Sequence, residues 1–176
     1  MANREALREL QTRLASRLQA ARSDDVSAAW LAVKAGGSNY LFPLAQAGEI
    51  FPLNNVQHVP YCRAWFLGVT NLRGELCGVV DLASFMGEGL RPSRSEASLA
   101  ACSVVTFNAA LELNCALLVD ALAGLRSRDS FAGAALAPTG SPVYFGNCFT
   151  DLAGLQWQEI NLQSLSQLPE FLSIGV

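Results

Sequence analysis

With 176 residues the chain is long enough for one domain, or for two small lobes sharing a core. It is 51% hydrophobic and only 15% charged, against about 25% charged in an average globular protein. That composition excludes a disordered chain and predicts a large core, with some apolar surface left for a partner. A net charge of −3, with 12 Lys and Arg spread along the chain, argues against nucleic acid as a ligand. No apolar run approaches the roughly 18 residues of a bilayer span. The N-terminus carries charges where a signal peptide needs an apolar stretch. A cytoplasmic protein with no direct membrane insertion is expected.

Leu7, Leu10, Leu14 and Leu18 are spaced 3, 4 and 4 apart, which predicts a helix over 3–22 with one apolar stripe. Ser23-Asp24-Asp25 ends it. The helix packs on its own domain or against a partner helix. After residue 26 the pattern turns to strands. Ala28–Lys34 and Tyr40–Ala45 flank Gly36-Gly37-Ser38-Asn39 and read as a hairpin. Gly48–Phe51 starts a short strand closed by Pro52, and Val56–Trp65 is a connection. Leu67–Leu72 and Glu75–Val80 follow as strands, then a helical turn over Leu82–Met86 with Asp81 as N-cap and Gly87 at C′. Gly87–Ser98 is polar and rich in Gly, Pro and Ser, which predicts a link between lobes. Ala101–Phe107, Leu111–Asp120, Val143–Phe149 and Leu155–Ile160 read as strands, with a flexible loop at Gly133–Pro142. Asn161 caps a last helix bearing Leu162, Leu165 and Leu168, which Pro169 stops. Strands at this spacing indicate a mainly β barrel or sandwich.

The second half echoes the first. Asn71-Leu72-Arg73-Gly74 aligns with Asp151-Leu152-Ala153-Gly154, and ten residues after Asn71 and Asp151 stand Asp81-Leu82 and Asn161-Leu162. The chain therefore reads as two copies of a small β unit, offset by 80 residues. Leu, Gly and the Asp or Asn cap serve the fold in both copies. Arg73 has Ala153 opposite it, so the fold does not demand an Arg there. Three readings of Arg73 stand side by side: an internal pair with Glu49, direct contact with a partner, or no role.

Chemistry for catalysis is sparse. Cys62, Cys77, Cys102, Cys115 and Cys148 show no metal spacing and suit reduced, buried thiols. The single His, His58, lies four residues before Cys62, and Asp81 is a conceivable third member of a Cys/His hydrolase site. Nothing in the spacing assures contact among them. Phosphate-loop, metal and paired-carboxylate motifs are missing, so no enzyme, cofactor or metal is expected.

Gly68-Val69-Thr70-Asn71-Leu72-Arg73-Gly74, then Val79-Val80-Asp81-Leu82 and Phe85-Met86-Gly87, resemble the CheW-like family of chemosensory coupling proteins. Tyr40–Pro43, Glu49-Ile50 and Leu118-Val119-Asp120 support the resemblance, which covers residues 27–168. Trp65–Gly68 and the Trp157…Phe171-Leu172 tail are similar to the PilI-like branch of type IV pilus twitching systems. The resemblance implies two five-stranded SH3-like β-barrels on a shared hydrophobic core. Residues 1–25 would be an N-terminal helix and 26–172 a single domain. The first barrel would span roughly 36–96 and the second roughly 99–160 with the N-terminal strand, closed by a helix at 161–168. It further implies a non-enzymatic adaptor between the regulatory domain of a CheA-type histidine kinase and the cytoplasmic tip of a methyl-accepting chemoreceptor, recruited to receptor arrays. Its output would be twitching motility or, alternatively, flagellar chemotaxis. The receptor-side residues carry over to Glu49, Asn71, Arg73 and Gly74. Cys77-Gly78, Ala121–Gly124 and Ala153-Gly154 depart from the family pattern, so only this first-barrel set is transferred. An unrelated SH3-like scaffold would share the fold without these partners.

Overall fold

The computed structural model describes residues 2–23, 28–87 and 92–176. Residues 24 and 25 of the expected helix stop, and 88–91 of the expected link, lie outside the described residues. Helix α1 (Ala2–Ser23) leads into β1 (Ala28–Ala35), β2 (Ser38–Pro43) and β3 (Ala47–Pro52). The hairpin β4 (Phe66–Leu72) and β5 (Glu75–Asp81) runs into α2 (Leu82–Met86). Then come α3 (Glu96–Ala101), β6 (Ser103–Phe107), β7 (Cys115–Val119), β8 (Ala121–Ser127) and β9 (Phe131–Ala135). Finally β10 (Phe145–Asp151), β11 (Gln156–Ile160), α4 (Leu162–Ser166) and α5 (Pro169–Leu172) complete the described chain.

The strands form two sheets, ordered β3-β6-β7-β5-β4 and β8-β1-β2-β11-β10-β9. Successive side chains of a strand point to opposite faces, and here both faces are buried. In β1, Leu31, Val33 and Ala35 enter a central core between the sheets, while Trp30 and Ala32 enter a separate core with Leu41, Phe149 and Trp157. In β7, Cys115, Leu117 and Val119 face the central core, and Ala116 and Leu118 join Leu72, Cys77, Val79, Cys102 and Val104 in a third. Three cores in one small chain account for its low charge.

The two sheets repeat one topology. Hairpin β4–β5 corresponds to β10–β11, the parallel pair β5·β7 to β11·β2, and the antiparallel steps β7·β6·β3 to β2·β1·β8. The backbone N–H of Asp81 donates to the Trp65 carbonyl at 2.8 Å, and that of Asn161 to Tyr144 at 2.7 Å. The repeat is therefore structural, but the expected lobe division is corrected. β6 and β7 return to the sheet of β3–β5, so the first unit runs from β3 to Val119 and the second begins at β8. The missing last two strands of the second unit are supplied by β1 and β2. The described part of that range, Gly87 and residues 92–98, belongs to the crossover that the parallel pair β5·β7 requires rather than to a link between lobes.

Other local expectations are also revised. Residues 96–101 form α3, capped by the Ser95 side chain, and 109–111 form a 3-10 turn, so β6 and β7 are shorter than expected. β8 and β9 escape notice because Ala and Gly dilute their alternation. β9 makes the second sheet six-stranded, not five. Asp81 holds the N-cap position of α2 but caps no N–H with its side chain, and Gly87 has φ −93°, not left-handed. Asn161 does cap α4, accepting from Ser164 N at 3.0 Å. Pro169 opens α5 at its first turn, where a missing N–H is harmless. Helix α1 packs on β3 and β8 of its own domain. Leu14, Leu18 and Gln11 are buried, the last donating to Ser103 Oγ at 2.8 Å, whereas Leu10 is half exposed.

The five-stranded sheet curls until its edges meet. Gln57, beyond β3, exchanges two backbone hydrogen bonds with Val69 of β4, at 2.7 and 2.9 Å, and Thr70 Oγ1 donates to Asn55 O at 3.0 Å. Only glycine permits this at Gly68, whose φ is +137° and where a Cβ would stand 2.1 Å from the Gln57 carbonyl. Gly68→Ala is expected to destabilise the protein by roughly 2 kcal/mol or more, read as a lower urea midpoint.

Burial pushes the Cys77 and Cys102 thiols up to about 11 and that of Cys115 up to about 12, with Glu75 adding to the shift at Cys77. The native state thus keeps protons that the unfolded chain releases above about pH 8.5. Stability should fall as pH rises from about 9 towards 12, and denaturation at pH 7.5 and 10 in reducing buffer checks this. Half-buried Cys62 and Cys148 should react with thiol reagents before the other three.

Candidate functional site

The β4–β5 hairpin closes through a two-residue turn. Leu72 pairs with Glu75, leaving Arg73 at φ 52° and Gly74 at φ 86°, both left-handed. Such turns favour Asn-Gly because both central residues need positive φ. Asn71 Oδ1 secures the turn by accepting from Gly74 N at 2.8 Å. An Arg in this conformation costs on the order of 1 kcal/mol. The second unit solves its hairpin differently. Asp151 pairs onward to Leu155 across a three-residue loop in which only Gly154 is left-handed, at φ 84°. The Asp151 carboxylate accepts from Trp157 Nε1, Leu155 N and Ala153 N, each at 2.9 Å, and these donors, the indole first, hold its pKa low. Ala153 matches Arg73 in sequence but not in conformation.

Glu49 sits on β3 next to a register shift, its N–H donating to Thr106 Oγ1 at 2.7 Å. The curl of the sheet brings it to the turn. Arg73 grips it with a fork, Nη1–Oε1 at 3.2 Å and Nη2–Oε2 at 3.0 Å. The guanidinium also lies 5.7 Å from the Phe51 ring centroid. With Arg73 67% and Glu49 40% exposed, the pair contributes about 0–1 kcal/mol. That only offsets the backbone strain at Arg73, so stability does not explain the residue. Beside it opens a cleft of about 580 Å³, lined among others by Glu49, Phe51, Arg73, Glu75 and Glu112.

All four expected site residues are thus assembled. Glu49 and Arg73 present charge, while Asn71 and Gly74 build the turn. The pairing of Glu49 with Arg73 is present, which leaves direct partner contact open as a second use of the same group. The imagined hydrolase site is not assembled. Asp81 is buried with both oxygens held by Arg94, and the Cys62 thiol lies against the Pro60 carbonyl.

Sequence reasoning missed two features. Arg94 also binds Asp120, through Nε at 2.7 Å, and nothing in its polar surroundings signals a buried ion network. Trp65, Phe85 and Phe171 form an aromatic cluster with centroids 5.1–6.1 Å apart. It borders a groove of about 760 Å³ between the units, walled by Trp65 on one side and its topological counterpart Tyr144 on the other.

A family model described as "CheW-like domain" matches residues 29–146. "Protein PilI" of Pseudomonas aeruginosa is 31% identical over 84 residues, 48% of this chain and 47% of that protein. The match spans about half the length of that curated relative. The crystal structure of scaffolding protein TtCheW from Thermoanaerobacter tengcongensis is similar in fold, with TM-score 0.57 and 15% identity over 77% of this chain and 89% of that one.

Replacing Arg73 by Asn relieves the strain and loses the pair, so the urea midpoint should stay level or rise by up to about 1 kcal/mol equivalent. Gly74→Ala, at positive φ, should lower stability by about 1 kcal/mol. A large loss in Arg73→Asn would instead make Arg73 structural.

Proposed function

The chain belongs to the CheW-like domain family, and on that premise we propose that it is an adaptor coupling a methyl-accepting chemoreceptor to a CheA-type histidine kinase. The similar fold of a protein described as a scaffolding protein supports a non-catalytic role. In this reading the protein works in the cytoplasm and is recruited to membrane-associated receptor arrays. Among the described residues no helix is long and apolar enough to cross a membrane. The similarity to Protein PilI supports twitching motility driven by type IV pili as the output.

The observation that carries the proposal is Arg73. It is kept at a left-handed turn position, exposed, forked onto Glu49 and beside an open cleft, while adding little to stability. Backbone strain of this kind clusters at ligand clamps, active sites and switch regions. Glu49 holds the guanidinium in one orientation, so the turn is ordered before a partner arrives. Receptor contact is assigned to Glu49 and Arg73, with Asn71 and Gly74 shaping the turn, and the kinase docks through apolar barrel surface.

Immobilised protein should retain the regulatory domain of a CheA-type kinase and a receptor signalling-tip fragment. Arg73→Glu should weaken receptor binding about tenfold or more, a loss of roughly 1.4 kcal/mol, with an unchanged melting curve. No retention of either partner at tens of micromolar would sink the adaptor reading.

A further inference from the structure

Arg94 is only 10% exposed and Asp81 1%. The guanidinium makes a fork onto Asp81, Nη1–Oδ2 at 2.7 Å and Nη2–Oδ1 at 2.9 Å, and turns Nε to Asp120 Oδ1 at 2.7 Å. These carboxylates belong to different parts of the molecule. Asp81 ends β5 and begins α2 of the first unit. Asp120 is the single residue between β7 and β8, where the chain passes from one unit to the other. The other oxygen of Asp120 accepts from Gly36 N at 2.8 Å, in the β1–β2 turn of the second unit. That turn lies on α2, since a Cβ at Gly36 would stand 3.1 Å from Ala83 Cβ.

We propose that Arg94 and Asp120 form a latch that fixes the β1–β2 hairpin of the second unit against α2 of the first, and thereby sets the groove between the units. The connection to the groove is short. Phe85 of α2 packs on Trp65 at 5.1 Å and on Tyr144 at 6.0 Å, and these rings wall the groove. Asp81 itself holds Trp65 through its backbone N–H.

The repeat supplies the internal control. In the second unit Asn161, the counterpart of Asp81, caps its own helix, and Gln46 Oε1 accepts from Leu162 N at 2.8 Å. A strand-to-helix corner of this kind therefore needs no ion network. In the first unit the carboxylate leaves its helix uncapped and goes to Arg94 instead. Two carboxylates around one cation are not a route to maximal stability, because apolar residues packed in the same place often do as well or better. What the network supplies is direction: a planar group with donors on two edges fixes two carboxylates at a set angle, which a Lys cannot.

Hydrogen exchange on the full chain tests the latch, comparing wild type with Asp120→Ala and Arg94→Lys. Amides at the β1–β2 turn and around Trp65 and Tyr144 should exchange about tenfold faster or more, while β6 and β7 keep their protection. Uniform acceleration in both units would reduce the network to general stabilisation and overturn the latch, as would no change at the turn and groove. Should Asp120→Ala fail to fold, Arg94→Lys, which keeps the charge and loses the fork, gives the same readout. A second arm rests on the adaptor reading: the partner retained by wild type should bind Asp120→Ala about tenfold more weakly, with the Arg73–Glu49 site intact. If wild type retains no partner, the adaptor reading fails while the exchange result still decides the latch.

Discussion

The central core between the two sheets is the constraint from which the rest of this structure follows, because every strand that borders it must also close a second core on its other face. Leu117 and Val119 turn inward to it while Ala116 and Leu118 turn to the first unit's own core, and Leu31 and Val33 oppose Trp30 and Ala32 in the same way. A one-residue slip would exchange the two sets and leave large side chains where small ones fit. Register is therefore strongly specified.

Within that frame the molecule is a repeat whose copies share a topology but not their details. The second unit takes its last two strands from the N-terminal end of the chain, so the units are interlocked rather than strung in series. Differences between the copies then become informative, since the shared topology removes what the fold alone requires. The first hairpin bends through a strained Arg where the second bends through Gly154 and a well-satisfied Asp151. Likewise Asp81 gives its carboxylate to Arg94 where Asn161 caps a helix. Both departures lie in the first unit, one at the exposed turn beside the cleft and one at the junction with the second unit. Deviation from the minimal fold is what functional sites are expected to show.

Much of this was legible in the chain itself. The hairpins around Gly36-Gly37 and Arg73-Gly74 declare themselves through turn chemistry flanked by strand-forming residues, and the Asn161 cap through its position before Leu162. The offset of 80 residues revealed the repeat. Strands β8 and β9 were not legible, because Ala and Gly carry little hydrophobic contrast and alternation of small residues leaves no period to read. Asp81 was misread for a specific reason: an Asp before a helix is a good cap in local terms, but a guanidinium buried beside it competes for the same oxygens and wins through charge.

Glu49 and Arg73 could be matched from sequence because each lies in a motif-bearing segment, yet their contact depends on the sheet curling until Gln57 meets Val69. The sequence by itself determined the β class, the repeat, the identity of the turn residues and the candidate Arg, all of which arise from interactions between residues close in the chain. The tertiary structure alone decided which strands complete which sheet, the left-handed strain at Arg73, and the meeting of Arg94 with Asp81, Asp120 and, through Asp120, Gly36. These join residues tens of positions apart, and such pairings are set by how both faces of each strand find a core, a property no local window contains.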